Sequence, residues 1–209
     1  MWMQQLTSGP FATNAYLIGG QDCDEALLID APPGCYNEVL QALHQSQRHL
    51  RAVVITHPHF DHLLDAHLFV QDGIPLFCHE LAQEGLSSPQ AMGLVPEPRE
   101  GFPSVHPHRL LKDQEQFTLA NVTIAVREVP GHSPGSIALL SSDGPCFVGD
   151  LLFRGSVGRT DLPGGDFDVL AESIQNVVYS LPDSTPIYPG HGPSTTVGEE
   201  KRCNPYVQG

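Results

Sequence analysis

The chain has 209 residues, 40% hydrophobic and 16% charged, so a real core is available and disorder is excluded as its general state. A formal net charge of −14 sets it against nucleic acid as a partner, because that surface must be basic. No apolar run reaches the length of a membrane span, and Met1 to Thr7 lacks the basic and apolar regions of a secretory signal.

The length suits one domain over residues 1–209. Cys23, Cys35, Cys78, Cys146 and Cys203 are dispersed, odd in number and form no Cys-x-x-Cys pair. They read as reduced thiols of a cytoplasmic protein rather than a disulfide framework or a cysteine metal site.

In chain order, Trp2–Thr7, Ala12–Ile18 and Glu25–Ile29 read as strands parted by Gly9-Pro10, Gly19-Gly20 and Pro32-Pro33-Gly34. Helical spacing of Val39, Leu40 and Leu43 predicts a helix over Asn37–His49. Leu50–Ile55 is a strand ending in a β-branched apolar run. After a histidine-rich loop, Leu63–Val70 reads as one helix, Ile74–Phe77 as a strand and Glu80–Leu86 as a short helix. Five prolines, Pro89, Pro96, Pro98, Pro103 and Pro107, make Ser87–His108 a long irregular segment that could roof a site or form an oligomer contact.

Strands resume at Gln116–Leu119, Val122–Val129, Ser136–Leu140 and Cys146–Val148. Phe167–Leu181 is an amphipathic helix with Leu170, Ile174, Val177, Val178 and Leu181 on one face and Asp166 or Asp168 as N-cap. Thr185–Tyr188 is a last strand. This pattern suggests two sheets packed face to face with helices outside.

The loop at the end of the Leu50–Ile55 strand reads Thr-His-Pro-His-Phe-Asp-His. It concentrates His57, His59, Asp61 and His62, the imidazole and carboxylate donors that borderline divalent metals take. An intact helix would scatter these side chains, whereas a tight loop can turn them towards neighbouring points. A histidine tag would be terminal and would not follow a buried strand. Three further corners carry one metal-type side chain beside glycine: His132 in Pro130-Gly131-His132, Asp150 in Gly149-Asp150, and His191 in Pro189-Gly190-His191.

The order His-x-His-x-Asp-His, then His132, Asp150 and His191, resembles the metallo-β-lactamase superfamily over Ile55 to His191. The flanking Gly149–Phe153, Gly158–Asp166, Pro189–Glu200 and Asn204-Pro205 resemble short, single-domain glyoxalase II-like proteins of the hydroxyacylglutathione hydrolase family. The resemblance implies an α/β (α+β) fold, the four-layer αββα sandwich, with two divalent metal ions. Zinc is the first expectation, with iron or manganese as alternatives. One ion would take His57, His59 and His132, the other Asp61, His62 and His191, with Asp150 and a water or hydroxide between them. Two ions carry +4 against −3 from Asp61, Asp150 and hydroxide, so a net positive centre faces the substrate.

On this reading the chain hydrolyses a small-molecule thioester such as S-D-lactoylglutathione with a metal-bound hydroxide. Asp61 and Asp150 are its catalytic residues, and Arg159 anchors a substrate carboxylate, against the alternative of an ordinary salt bridge. Asp30 is expected either to support the metal loop or to form the turn before Pro32. His44, His49, His67, His106 and His108 read as surface groups, His79 as structural, and Phe153 and Tyr188 as packing around the site. Longer glyoxalase II enzymes add a C-terminal helical domain, and the end of this chain after Pro205-Tyr206 sets a broader thioesterase beside a glutathione-specific one. The rival is a persulfide dioxygenase of the same fold, holding one iron on His57, His132 and Asp150. The sequence carries no signal for oligomeric state.

Overall fold

A computed structural model describes residues 1–87 and 103–209. The first sheet is built from β1 (Trp2–Ser8), β2 (Thr13–Gly19), β3 (Glu25–Ile29), β4 (His49–Val54), β5 (Leu76–His79) and β6 (Arg109–Leu111), side by side in chain order. β1, β2 and β3 pair antiparallel, and β3 to β6 pair parallel.

The second sheet contains β7 (Gln116–Leu119), β8 (Val122–Glu128), β9 (Ile137–Ser141) and β10 (Cys146–Gly149). A two-stranded ribbon follows, β11 (Leu152–Phe153) with β12 (Ser156–Val157). The chain then returns as β13 (Pro186–Pro189) and β14 (Thr195–Thr196), giving the spatial order β14-β13-β10-β9-β8-β7. β10 and β13 are parallel, so their carboxyl ends meet at one edge.

Period-two alternation sorts side chains into layers. From β2 and β3, Ala15, Leu17, Ala26 and Leu28 face an outer core shared with α1 (Cys35–Ser46), α2 (Phe60–Leu63), α3 (Ala66–Gln71) and α4 (Gln83–Ser87). Their neighbours Tyr16, Ile18, Leu27 and Ile29 face inwards against Ile124, Val126, Leu139 and Phe147 of the second sheet. On the far side Ala138, Cys146 and Val148 pack on Leu170 of α5 (Phe167–Ser173), while Val197 comes from α6 (Val197–Cys203). Three cores between four layers make this the αββα sandwich. No helix among the described residues is long and apolar enough to cross a membrane.

Several elements differ from the sequence expectation. The stretch expected as one helix over Leu63–Val70 is two. It begins earlier, at Phe60, and breaks at Leu64-Asp65, where the Asp65 backbone N–H donates to Ala31 O and its carboxylate accepts from Tyr36 N. The helix expected over Phe167–Leu181 is α-helical only to Ser173. A π turn over Ile174–Val178 follows, closed by Tyr179 N to Ile174 O, and it keeps Ile174, Val177 and Val178 buried. Asp166 is the N-cap, accepting from the N–H groups of Asp168 and Val169.

Sequence reading missed β6, the ribbon, β14 and α6. The last had a signal: Thr196 caps α6 by accepting from Glu199 N, the spacing of a capping box. Of the proline-rich segment, 88–102 lies outside the described residues, Pro89, Pro96 and Pro98 included. Residues 103–108 are irregular, as expected.

Candidate metal centre

The Thr56–His62 segment works by changing conformation in the middle. His59 is extended at the mouth of α2, and Asp61 and His62 lie in the single turn that follows. His57 leaves from the bend after β4 and His59 from extended chain, while Asp61 and His62 leave from a helical turn, which sends the two pairs to neighbouring points. The other donors follow the carboxyl ends of β8, β10 and β13. Glycine is required at these corners. A Cβ on Gly190 would lie 2.2 Å from Asp150 Oδ1, and one on Gly131 would lie 2.2 Å from the Leu170 backbone N at the α5 entry.

The seven expected donors are brought into adjoining groups: His57, His59 and His132; His57, His62 and Asp150; and Asp61, His62 and His191. Within each, the ligand atoms lie within 4.8 Å of one another. His62 Nε2, His191 Nε2 and Asp61 Oδ2 are separated by 3.3, 3.4 and 3.6 Å. A tetrahedral ion with bonds near 2.05 Å has ligand edges of about 3.4 Å, so this triangle already has ligand dimensions. Asp150 sits at the seam. Its Oδ1 is 3.2 Å from His62 Nε2, and its Oδ2 is 3.3 Å from His191, 3.7 Å from His132 and 4.0 Å from His57.

Ring orientation supports the fit. Nε2 of His57, His59 and His132 and Oδ1 of Asp150 are buried without a hydrogen-bond partner among the described residues. Buried polar atoms are costly unless partnered, and inward imidazole nitrogens are what a metal would satisfy. The opposite nitrogens are held from behind. His57 Nδ1 meets Thr56 Oγ1 at 3.1 Å, and His62 Nδ1 meets Asp30 Oδ2 at 2.8 Å. His132 Nδ1 faces the Arg159 carbonyl at 2.7 Å, and His191 Nδ1 the Phe11 carbonyl at 3.1 Å. A carbonyl only accepts, so Nδ1 of His132 and His191 carries the proton and Nε2 is free to ligate.

Asp30, at φ 60, accepts from Thr56 N, Thr56 Oγ1 and His62, which gives it the supporting place beneath the metal loop. Thr13, absent from the sequence reading, donates from Oγ1 to Asp61 Oδ2 at 2.9 Å. Its strand clamps the His191 loop, with Asn14 Nδ2 donating to Pro189 O and Gly192 O, and Tyr16 OH to Pro189 O. His79 is buried, caps the turn at Glu80 by accepting from Leu81 N, and lies 2.8 Å from Glu128. Phe153 stands edge-on to His191, whereas Tyr188 packs on Tyr16 and Phe147 between the sheets.

The two halves titrate differently. Burial and the neighbouring His132 push His59 down to about 4, and burial with His62 holds His57 well below the ordinary imidazole range. Burial opposes charge on His191 too, but the carboxylates of Asp150 and Asp61 outweigh it and raise it to about 10. His62 is likewise held up, against burial, by Asp150, Asp30 and Asp61. At pH 7 the His57–His59–His132 group is therefore neutral and ready to ligate, while the Asp61–His62–His191 group must give up a proton. Each displaced proton changes affinity about tenfold per pH unit. Lowering the pH from 8 to 7 should weaken metal binding at the Asp61–His62–His191 group by roughly tenfold or more and leave the other nearly unchanged. Calorimetric titration in buffers of different ionisation heat would read at least one proton released at one step and none at the other.

Above the centre lies a cavity of about 260 Å³ lined by Phe11, Phe60, Leu162 and Arg159 over the donors His59, Asp61, His132, Asp150 and His191. Arg159 is half-exposed and forms a bidentate pair with Asp161, Nε to Oδ1 at 2.7 Å and Nη2 to Oδ2 at 2.8 Å. The salt-bridge expectation is met, and the side chain also stands in the cavity wall. Phe11 was missed; an aromatic beside the Gly9-Pro10 turn was the available signal.

The sequence profile of the Metallo-beta-lactamase superfamily matches residues 8–191. Hydroxyacylglutathione hydrolase GloC of Haemophilus influenzae is 32% identical over 204 residues, covering 94% of this chain and 93% of that protein. The crystal structure of BLEG-1 B3 metallo-beta-lactamase superposes with a TM-score of 0.91 at 33% identity, covering all of both chains. TTHA1623 in a di-iron-bound form superposes with a TM-score of 0.80 at 38% identity, covering 98% of this chain and all of that one.

Proposed function

The chain belongs to the metallo-β-lactamase superfamily, and from that premise we propose that it is a binuclear hydrolase of thioesters such as S-D-lactoylglutathione, acting as one domain over residues 1–209. The observation that carries this reading is a donor set complete for two ions and joined at Asp150. His57, His59 and His132 would hold one ion, and Asp61, His62 and His191 the other. The likeness to a relative named for hydroxyacylglutathione hydrolysis supports the thioester. The donors suit zinc, and iron or manganese use the same ones. The di-iron neighbour keeps that choice open. Five unpaired cysteines fit a cytoplasmic setting.

When bound, two divalent ions supply Lewis acidity and an acidified water. The chain's own groups do the rest. Asp61 orients the attacking water and takes its proton, and the Thr13 hydroxyl on Oδ2 fixes the rotation of that carboxylate. Phe11, Phe60 and Leu162 wall the reacting carbonyl from bulk water. An ordinary thiol has a pKa near ~8.5, so thiolate departs without an acid.

Arg159 uses its Nε edge on Asp161, and its Nη1 end serves a substrate carboxylate. Arg159→Ala should raise KM roughly tenfold for a glutathione thioester and less than twofold for a small neutral one. Equal effects in steady-state assays would remove Arg159 from substrate binding. Elemental analysis with a thioester assay tests the whole reading, the expected result being two divalent ions per chain and thioester cleavage. Close to one iron per chain, with oxygen uptake on glutathione persulfide, would transfer the chain to a dioxygenase using His57, His132 and Asp150.

A further inference from the structure

The conspicuous C-terminal run Thr195–Glu200 and Asn204 takes no part in the metal centre, yet it buries a carboxylate. Glu200 is 1% exposed. Its Oε1 accepts from Thr195 Oγ1 at 2.6 Å, and its Oε2 accepts from Asn204 Nδ2 at 2.9 Å and from Gly155 N at 3.0 Å. Asn204 Nδ2 also donates to Ser156 O at 3.1 Å. Gly155 and Ser156 belong to the turn and second strand of the β11–β12 ribbon, which has only two residue pairs of its own. So short a ribbon does not hold its shape alone. Glu200 and Asn204 tie it to α6, beside the packing of Leu152 and Val157 in the third core.

That ribbon is a wall of the site. A second lobe of about 410 Å³ adjoins the first and is lined by Phe153, Ser156 and Val157. The two lobes share Phe11, Asp150, Arg159 and His191. A thioester has two arms leaving its reacting carbon, and a two-lobed cleft straddling the metal donors offers each arm a place.

We propose that Glu200 is a positioning residue for substrate choice: it fixes the ribbon that shapes the second lobe, and that lobe receives the thiol arm of the thioester. The assignment follows access, since the second lobe is the more open of the two and so accommodates the longer arm, which in a glutathione thioester is the tripeptide. It rests on the thioesterase reading for the identity of the arm, but not for the ribbon's support.

The test compares Glu200→Ala and Glu200→Gln with the wild-type metal-loaded protein on thioesters of one acyl group with glutathione or ethanethiol. Glu200→Ala should raise the ratio of KM for the glutathione thioester to KM for the ethanethiol thioester about tenfold, with kcat within twofold. Gly155 N–H should exchange at least tenfold faster. Glu200→Gln should restore both, because an amide oxygen still accepts from Gly155 and Asn204 while its NH2 donates to Thr195. An equal rise for both thiols, or a rise that follows acyl length instead, overturns the lobe assignment. Should Glu200→Ala not fold, Ser156→Trp fills the same lobe and must raise the same ratio; an unchanged ratio overturns the assignment. If the wild type cleaves neither thioester, the hydrolase reading fails, and Gly155 exchange alone decides the role of Glu200, unchanged protection overturning it.

Discussion

On the proposed binuclear reading, Asp150→Asn should lower kcat/KM for thioester hydrolysis by roughly 10³-fold and reduce the metal content from two ions per chain to one or fewer. The carboxylate lies within reach of both donor groups. Its two oxygens lie 3.2 Å from His62 and 3.3 Å from His191, and the second continues towards His132 and His57. Burial opposes its charge, but His62 and His191 hold it well below the usual carboxylate range, so the native residue is ionised throughout the working pH range. Asparagine keeps the shape and removes the charge, leaving two cations to share a site with one anion fewer. Elemental analysis beside steady-state kinetics checks both halves. Full metal content with unchanged activity would remove Asp150 from the centre.

Asp30 separates stability from ligation. Asp30→Ala strips Thr56 N, Thr56 Oγ1 and His62 Nδ1 of their acceptor in a region closed to water. Leaving buried groups unpaired in this way costs about 3 kcal/mol or more, a melting temperature lower by roughly 10 °C for a chain this size. Asp30→Asn behaves differently. Asparagine tolerates the left-handed backbone at φ 60 and can still accept from Thr56 N through Oδ1. Its NH2, however, now faces His62 Nδ1 and donates to it. That forces the proton of neutral His62 onto Nε2, the atom aimed at Asp61, Asp150 and His191. The folded protein should therefore keep most of its stability and lose metal affinity at that group by about 10- to 100-fold. Thermal melts and chelator competition on the same preparations separate the effects. Matching affinity losses in both variants, tracking only their melting temperatures, would refute the tautomer argument.

The donors were legible because metal chemistry restricts residue type so severely. Seven histidines and aspartates at strand ends, four of them within six positions, suit little besides a bound cation. The regular strands were legible for a related reason: a strand buried on both faces is a short continuous apolar run, as in Ala15 to Ile18 of β2. The helix boundaries were less so. The break at Asp65 and the π turn after Ser173 depend on partners 29 or more residues away or on packing against the second sheet, and local spacing records neither. Arg159 was read for its side chain, whereas its carbonyl, which any residue carries, turned out to orient His132.

The layer pattern and the identity of the donors follow from the chain's residues alone, because hydrophobic period and ligand chemistry are written in residue type. Folding decides how those residues gather around Asp150, which backbone carbonyls fix the His132 and His191 tautomers, and that Thr13 bonds Asp61 and Glu200 bonds the ribbon. Those are contacts between atoms 27 to 180 positions apart, several of them to backbone that any residue carries. Only the closing of the two sheets at one edge brings such atoms within bonding range.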